Sequence, residues 1–164
     1  MAEAPRRTPA VWLATGLGVG LVSPTPGTVG ALWGVPIFLA VSQLPSLGLQ
    51  WVAMLALVAL GVPICTRAGR DLGAGKDPQA IVWDEFTTVP IVLAVAPRGL
   101  PSVDTIAWLA AGFALHRIFD ISKPFPCRRL ELLPEGWGVM ADDVMAAAYA
   151  AVVLATLAAM CPVV

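Results

Sequence analysis

Residues 81–91 read Ile-Val-Trp-Asp-Glu-Phe-Thr-Thr-Val-Pro-Ile, so two adjacent carboxylates, Asp84 and Glu85, stand inside an otherwise apolar run. Just upstream, Asp77-Pro78 has the chemistry of a helix start, with Asp77 as N-cap and Pro78 as first helical residue. That start predicts a helix over 78–96, bent at Pro90, with the acid pair well past the first turn and too deep to be caps. An ionised carboxylate near a bilayer centre costs about 2.5–3.5 kcal/mol on insertion scales, and neighbouring carboxylates repel. Such a pair is expected at an interface, carrying a proton, or holding a cation.

The surroundings make the bilayer relevant. Of the 164 residues, 58% are hydrophobic and only 13% charged, with a mean hydropathy of +0.80. That composition predicts an all-α, multi-span membrane protein forming a single domain over 1–164. The net charge is −1 and no basic run exists, which argues against nucleic acid as a partner. Cys65, Cys127 and Cys161 are far apart and lack zinc-type spacing. His116 is the only histidine, so a histidine-rich metal site is excluded. Arg6 and Arg7 before residues 10–22 resemble the start of a secretory signal, but no small-residue cleavage site follows, and the segment is expected to be retained.

Taken in order, residues 11–22 are apolar but shorter than the roughly 20 residues a spanning helix needs. Their glycines, 16, 18 and 20, suit close helix packing. A phosphate-cradling turn is the weaker reading, because Ser23 stands where the dinucleotide fingerprint needs glycine. Ser23-Pro-Thr-Pro-Gly-Thr28 breaks the helix within an apolar region. Its free N–H groups and the hydroxyls of Ser23, Thr25 and Thr28 suit a phosphate at the start of the next helix; a plain interfacial turn accounts for it equally well. Helices are expected over 29–44, 50–66, 80–97, 103–120 and 143–162. Gly30 and Gly34 are available for close packing. The stretch 67–77 reads as polar and Gly73-Ala-Gly-Lys76 fails the Walker pattern. Pro124, Pro126 and Pro134 predict an irregular segment. The bias of Lys and Arg puts Arg6, Arg7, Arg67, Arg70, Lys76, Lys123, Arg128 and Arg129 in the cytoplasm and Arg98 outside. This gives four to five spans, with the N-terminal segment re-entrant or interfacial. The same topology sends Asp84, Glu85, Asp120, Asp142 and Asp143 to the cytoplasmic side.

Arg117, Asp120 and Lys123 recur every third residue, on roughly one helical face. Lys123 precedes Pro124 and is expected at the helix C-terminus. A surface salt-bridge ladder would explain this run by itself. Asp142 and Asp143 are expected to open the last helix, where the macrodipole favours acids. Gly136 and Gly138 before them would let the backbone approach a ligand. Together the five acids are a hard oxygen set suited to Mg²⁺, and Arg117 and Lys123 are suited to an anionic phosphate. That combination points to phosphoryl chemistry.

Four blocks carry a family resemblance: Gly20-Leu-Val-Ser-Pro-Thr-Pro-Gly-Thr28, Asp77-Pro-Gln-Ala-Ile-Val-Trp-Asp-Glu85, Arg117-Ile-Phe-Asp-Ile-Ser-Lys-Pro-Phe-Pro126 and Gly136-Trp-Gly-Val-Met-Ala-Asp-Asp-Val144. In content and order they resemble the phosphatidylglycerophosphatase A family of bacterial membrane lipid phosphatases. The resemblance implies Mg²⁺-dependent hydrolysis of phosphatidylglycerophosphate to phosphatidylglycerol and phosphate, in phospholipid biosynthesis at the inner membrane. In that reading Asp84, Glu85, Asp120, Asp142 and Asp143 are metal-binding and catalytic, while Ser23, Thr25, Gly27, Thr28, Arg117 and Lys123 bind substrate. The expected partners are the bilayer and a lipid phosphomonoester, and a homo-oligomer stays open. Thr88 and Ala147 stand where the family commonly has glycine. Two other classes share these acids. A cation transporter or channel would need acids on both sides, and only Asp104 falls on the other. A CDP-alcohol phosphotransferase would carry its acids in one helix–turn segment rather than three.

Overall fold

The computed structural model describes residues 7–73, 79–97 and 102–161. Those residues are helical with no strand among them. The helices are α1 (Pro9–Ala14), α2 (Val19–Val22), α3 (Pro26–Val41), α4 (Leu47–Leu72), α5 (Trp83–Leu93), α6 (Ser102–Ser122), α7 (Cys127–Leu130) and α8 (Gly136–Met160). The expected helix start at Asp77-Pro78, and Arg6, Lys76 and Arg98 of the charge rule, lie outside the described residues.

α5 is the hub. It touches α3, α4, α6 and α8, and eight of its eleven residues are buried. At 1.5 Å per residue it is about 16 Å long, roughly half the thickness of a hydrocarbon core. The expected spanning helix over 80–97 is therefore corrected to a short, enclosed one. It starts late because the Val82 N–H is committed to the Ala14 carbonyl at 2.8 Å, a bond across the fold. Asp84 and Glu85 consequently fall in its first turn, not beyond it.

α8 errs the other way. It begins at Gly136, so Asp142 and Asp143 lie in its second turn and are buried. The Gly136 N–H donates to Thr66 Oγ1 at 3.0 Å, which anchors the start of α8 on α4. A Cβ at Gly136 would overlap the Val62 carbonyl, and one at Gly138 would lie 2.5 Å from the Leu133 carbonyl. Both glycines serve packing, not the approach of a ligand. α4 runs on through Arg67 and Arg70 to a left-handed Gly73, so the expected polar connector begins as helix. The proline-rich segment contains α7.

Two helices, α4 and α8, are long and apolar enough to cross a membrane. Only 17% and 28% of their most apolar windows are buried, so they turn apolar surface outward as a core helix of a soluble protein would not. Val52, Leu55, Leu60, Val103, Ile106 and Val152 are among the exposed apolar side chains. Membrane association follows from these faces. α3 is apolar but has only 16 residues. α1 and α2 are separated by a turn in which Gly16, Leu17 and Gly18 take positive φ.

Candidate active site

α3, α5 and α8 begin near where α4 and α6 end. At that end of the bundle a cavity of about 380 Å³ is lined by Thr25, Gly27 and Thr28 from the start of α3, and by Asp84 and Glu85 from the start of α5. Arg117 and Asp120 from α6, Lys123 just beyond it, and Asp142 and Asp143 from α8 complete the wall. Every sequence-expected site residue is thus brought together except Ser23. Its Oγ accepts from the Thr25 N–H at 3.2 Å, and it does not line the cavity.

The two cations bridge elements. Arg117 Nη1 donates to Asp120 Oδ2 at 2.5 Å and to Glu85 Oε1 at 3.2 Å, tying α6 to α5. Its buried Nε has no hydrogen-bond partner, which leaves donor capacity on the guanidinium fork. Lys123 follows the last residue of α6 and takes φ +41°. Its Nζ lies 2.7 Å from Asp142 Oδ2 and 3.2 Å from Glu131 Oε2. Burial alone would lower the Lys123 pKa. The hydrogen bond and charge of Asp142, seconded by Glu131, outweigh it and hold the ammonium above its ordinary value.

The acids differ in what surrounds them. Glu85 lies against the first turns of α3, since a Cβ at Gly27 would overlap its Oε1 and one at Gly30 would lie 2.5 Å from its Oε2. Asp143 is in hydrogen-bonding contact with Asp120, and the charges acting on it come from Asp84, Asp120 and Asp142. Its buried Oδ2 has no hydrogen-bond partner. Five carboxylates and two cations therefore share one cavity. Crowded oxygen donors of one sign, one of them with an unused buried oxygen, fit a hard divalent cation in type and charge. Among the described residues, no three acid, histidine or cysteine side chains already stand grouped as a ligand set.

Sequence reasoning passed over five contributors. Gln79 and Ile81 line the cavity, and Glu131 holds Lys123. Behind Asp84, the Thr88 hydroxyl donates to the Asp84 backbone carbonyl at 2.8 Å and meets His116 Nε2 at 2.9 Å. With its proton so used, Thr88 accepts from an Nε2–H tautomer of His116. Both side chains are fully buried. The departure at Thr88 therefore adds a polar tie between α5 and α6. Ala147 is a plain core residue, packed with Val92, Ala150 and Leu154. Gln79 and Ile81 carried a signal, lying within the second quoted block.

Fold and cavity together define a membrane-associated helical enzyme whose polar site sits at the helix ends. The phosphatidylglycerophosphatase A family model matches residues 12–158, and the chain belongs to that family. It is 44% identical over 145 residues to the phosphatidylglycerophosphatase A of Haemophilus influenzae, covering 87% of this chain and 84% of that one. It is 38% identical over 143 residues to the Escherichia coli phosphatidylglycerophosphatase A, covering 87% and 79%. A Bacteroides thetaiotaomicron protein named "Putative phosphatidylinositol-3-phosphatase" is 39% identical over 149 residues, covering 88% and 91%. No solved structure matches the chain. Like these relatives, the chain is a phosphatase.

Proposed function

We propose that the protein hydrolyses phosphatidylglycerophosphate to phosphatidylglycerol and inorganic phosphate, with Mg²⁺, from the cytoplasmic face of the membrane. The observation that carries this reading is the meeting of Arg117 and Lys123 with five acids in one cavity at the helix ends. With all its acids ionised, the cavity carries an excess of three negative charges and would repel a phosphomonoester. Asp84, Asp120, Asp142 and Asp143 would hold a divalent cation, which would cut that excess from three to one and would supply Lewis-acid polarisation of the phosphoryl oxygens. Glu85 is better placed to hold Arg117 and the start of α3 than to ligate.

The chain's own groups supply the remainder. The Arg117 fork and the Lys123 ammonium exchange part of their carboxylate contacts for phosphate oxygens. The Thr25–Thr28 turn adds hydroxyls and the positive end of α3. A carboxylate of the Asp120–Asp143 pair takes the proton of the attacking water, whose oxygen bonds to phosphorus as the phosphorus–glycerol oxygen bond breaks. The glycerol oxygen leaves as the alcohol, taking the proton that this carboxyl group has gained from the water. The headgroup cannot cross the hydrocarbon core cheaply, so the lipid is met where its phosphate stands, with its chains still in the leaflet.

The Bacteroides relative supports a second reading, in which the substrate is a phosphoinositide carrying the 3-phosphate. The deciding experiment measures phosphate release by the purified protein in mixed micelles. The panel holds phosphatidylglycerophosphate, phosphatidylinositol 3-phosphate, phosphatidic acid and glycerol 3-phosphate, each with and without Mg²⁺. Preference for the first by kcat/KM is expected. Preference for the second selects the alternative, and no Mg²⁺-dependent release from any of them overturns both.

A further inference from the structure

Beside the polar cavity lies a second recess, of about 160 Å³, whose wall is apolar. Leu13 and Leu17 form one side, Trp33 and Ile37 of α3 the second, and Trp83 and Phe86 of α5 the third. Gly16 helps to keep it open, because a Cβ there would reach 3.2 Å from Val82 Cγ2 and 3.9 Å from Phe86 and Trp33. Nothing in the proposed chemistry uses this recess.

Its position relates it to the cavity. Both are built on α3 and α5, the cavity on their starts and the recess on the start of α5 and the middle of α3. In α5, Trp83 and Phe86 line the recess while the intervening Asp84 and Glu85 line the cavity. In α3, Gly27 and Thr28 line the cavity, and Trp33 and Ile37 line the recess. At 1.5 Å per residue, Trp33 lies about 8 Å and Ile37 about 14 Å farther along the helix than Thr28. The recess therefore leads from the level of the phosphate cavity along α3, towards the depth of its apolar middle. Phosphatidylglycerophosphate has the parts to span this layout: a terminal phosphate, a glycerol–phosphodiester–glycerol spacer, then hydrocarbon running inward.

We infer that the recess seats the first part of one acyl chain of the substrate, so that the enzyme grips its lipid by chain as well as by headgroup. This rests on the lipid-phosphatase reading above. A binding contact away from the reacting phosphorus aligns the phosphate without touching it. It also makes the site select a chain-bearing phosphomonoester over the chain-free headgroup. Chains of bulk lipid would reach an apolar recess too. What distinguishes the substrate's chain is its tether to a phosphate held next door.

The test uses the full-length protein in phosphatidylcholine–detergent micelles, with a phosphatidic acid carrying a mid-chain photoreactive diazirine as probe. The expected adducts fall on peptides containing residues 13–17, 33–37 or 83–86. They should be competed by excess unlabelled phosphatidic acid and not by excess phosphatidylcholine. In parallel, Leu13→Trp should narrow the recess. It is expected to lower the ratio of kcat/KM for dioleoyl over dihexanoyl phosphatidylglycerophosphate about tenfold. Ile37→Ala, which widens the far end, should shift the preferred chain length. Adducts elsewhere, competition by phosphatidylcholine, or an unchanged ratio in both variants would overturn the inference. Absence of phosphate release by the wild-type chain from every lipid phosphate would instead overturn the phosphatase reading, while the adduct map still reports on the recess.

Discussion

Gly30→Ala is the sharpest perturbation of the site that removes no charged group. A Cβ at position 30 would stand 2.5 Å from Glu85 Oε2 and 2.6 Å from Val82 Cβ. Restoring a contact of about 3.4 Å requires movement of nearly 1 Å. Val82 Cβ is fixed to backbone, so α3 and α5 must separate. The Glu85 carboxylate must also swing away from Arg117, which it holds at 3.2 Å. Overpacking of this kind costs about 1–3 kcal/mol of stability. A displacement of about 1 Å in a positioning group lowers rate by up to about 10²-fold. Gly34→Ala is the matched comparison. Its Cβ would meet Val89 Cβ at 2.6 Å in the same α3–α5 seam, one turn farther on and away from the acids. Gly69→Ala in α4 meets nothing within 4 Å and should be neutral or gain up to about 1 kcal/mol of helix propensity. Thermal unfolding in detergent, with kcat/KM for phosphatidylglycerophosphate, reads all three. Gly30→Ala and Gly34→Ala should lose similar stability, with Gly30→Ala losing about ten times more activity than Gly34→Ala. Equal activity losses, or a folded Gly30→Ala variant with wild-type kcat/KM, would refute the claim that Glu85 positions the site.

Asp84→Asn and Asp143→Asn should each abolish turnover while the protein still inserts, and Asp143→Asn should raise the Mg²⁺ concentration needed for any residual activity; near-normal turnover at saturating Mg²⁺ would contradict the metal assignment. Lys123→Ala should raise KM for the lipid more than it alters the Mg²⁺ requirement, as read from separate titrations. Because the Lys123 pKa is raised, the stability from its pairing with Asp142 is fully present below the unfolded lysine value of about 10.4 and is lost only as pH rises beyond it. The gap in melting temperature between wild type and Lys123→Met should therefore stay constant from pH 7 to about 10. For topology, on a background lacking Cys65, Cys127 and Cys161, a cysteine replacing Glu135 should label only from the cytoplasmic side. One replacing Val103 should label only from outside, and the reverse pattern would overturn the orientation.

How far the sequence could be read depended on whether each feature is local. Gly30 and Gly34 show their packing role because four-residue spacing defines one face of a helix, and the structure puts α5 against it. Arg117, Asp120 and Lys123 were legible for the same reason, and so was the end of α6 before Pro124. The two acid pairs were read the wrong way round because their helix starts are set from afar. Val82 gives its N–H to Ala14, and Gly136 gives its own to Thr66. A cap supplied by a residue some 70 positions away leaves no mark beside the helix it starts. The partnership of Lys123 with Glu131, and of Thr88 with His116, obeys no spacing rule. The number of spans was not legible, because apolar composition cannot separate a helix buried in protein, such as α5, from one facing lipid.

That reversal changes which acids most need a cation. Asp84 and Glu85 sit in the first turn of α5, beside the start of α3, so the positive ends of two helices offset their charge. Glu85 also has Arg117. Asp142 and Asp143 lie a turn inside α8, where the macrodipole helps them less. Asp142 has Lys123. Asp143 is left with Asp120 in contact and Asp84 and Asp142 as its nearby charges, and one of its buried oxygens is unused. Isolated buried charge of this kind is costly unless a proton or a metal ion balances it. The helix ends thus offset the charge of the α5 pair, and Asp143 is the acid whose charge is left for a proton or a cation to balance. Position 143 is therefore where metal binding and catalysis should be hardest to separate from each other by mutation.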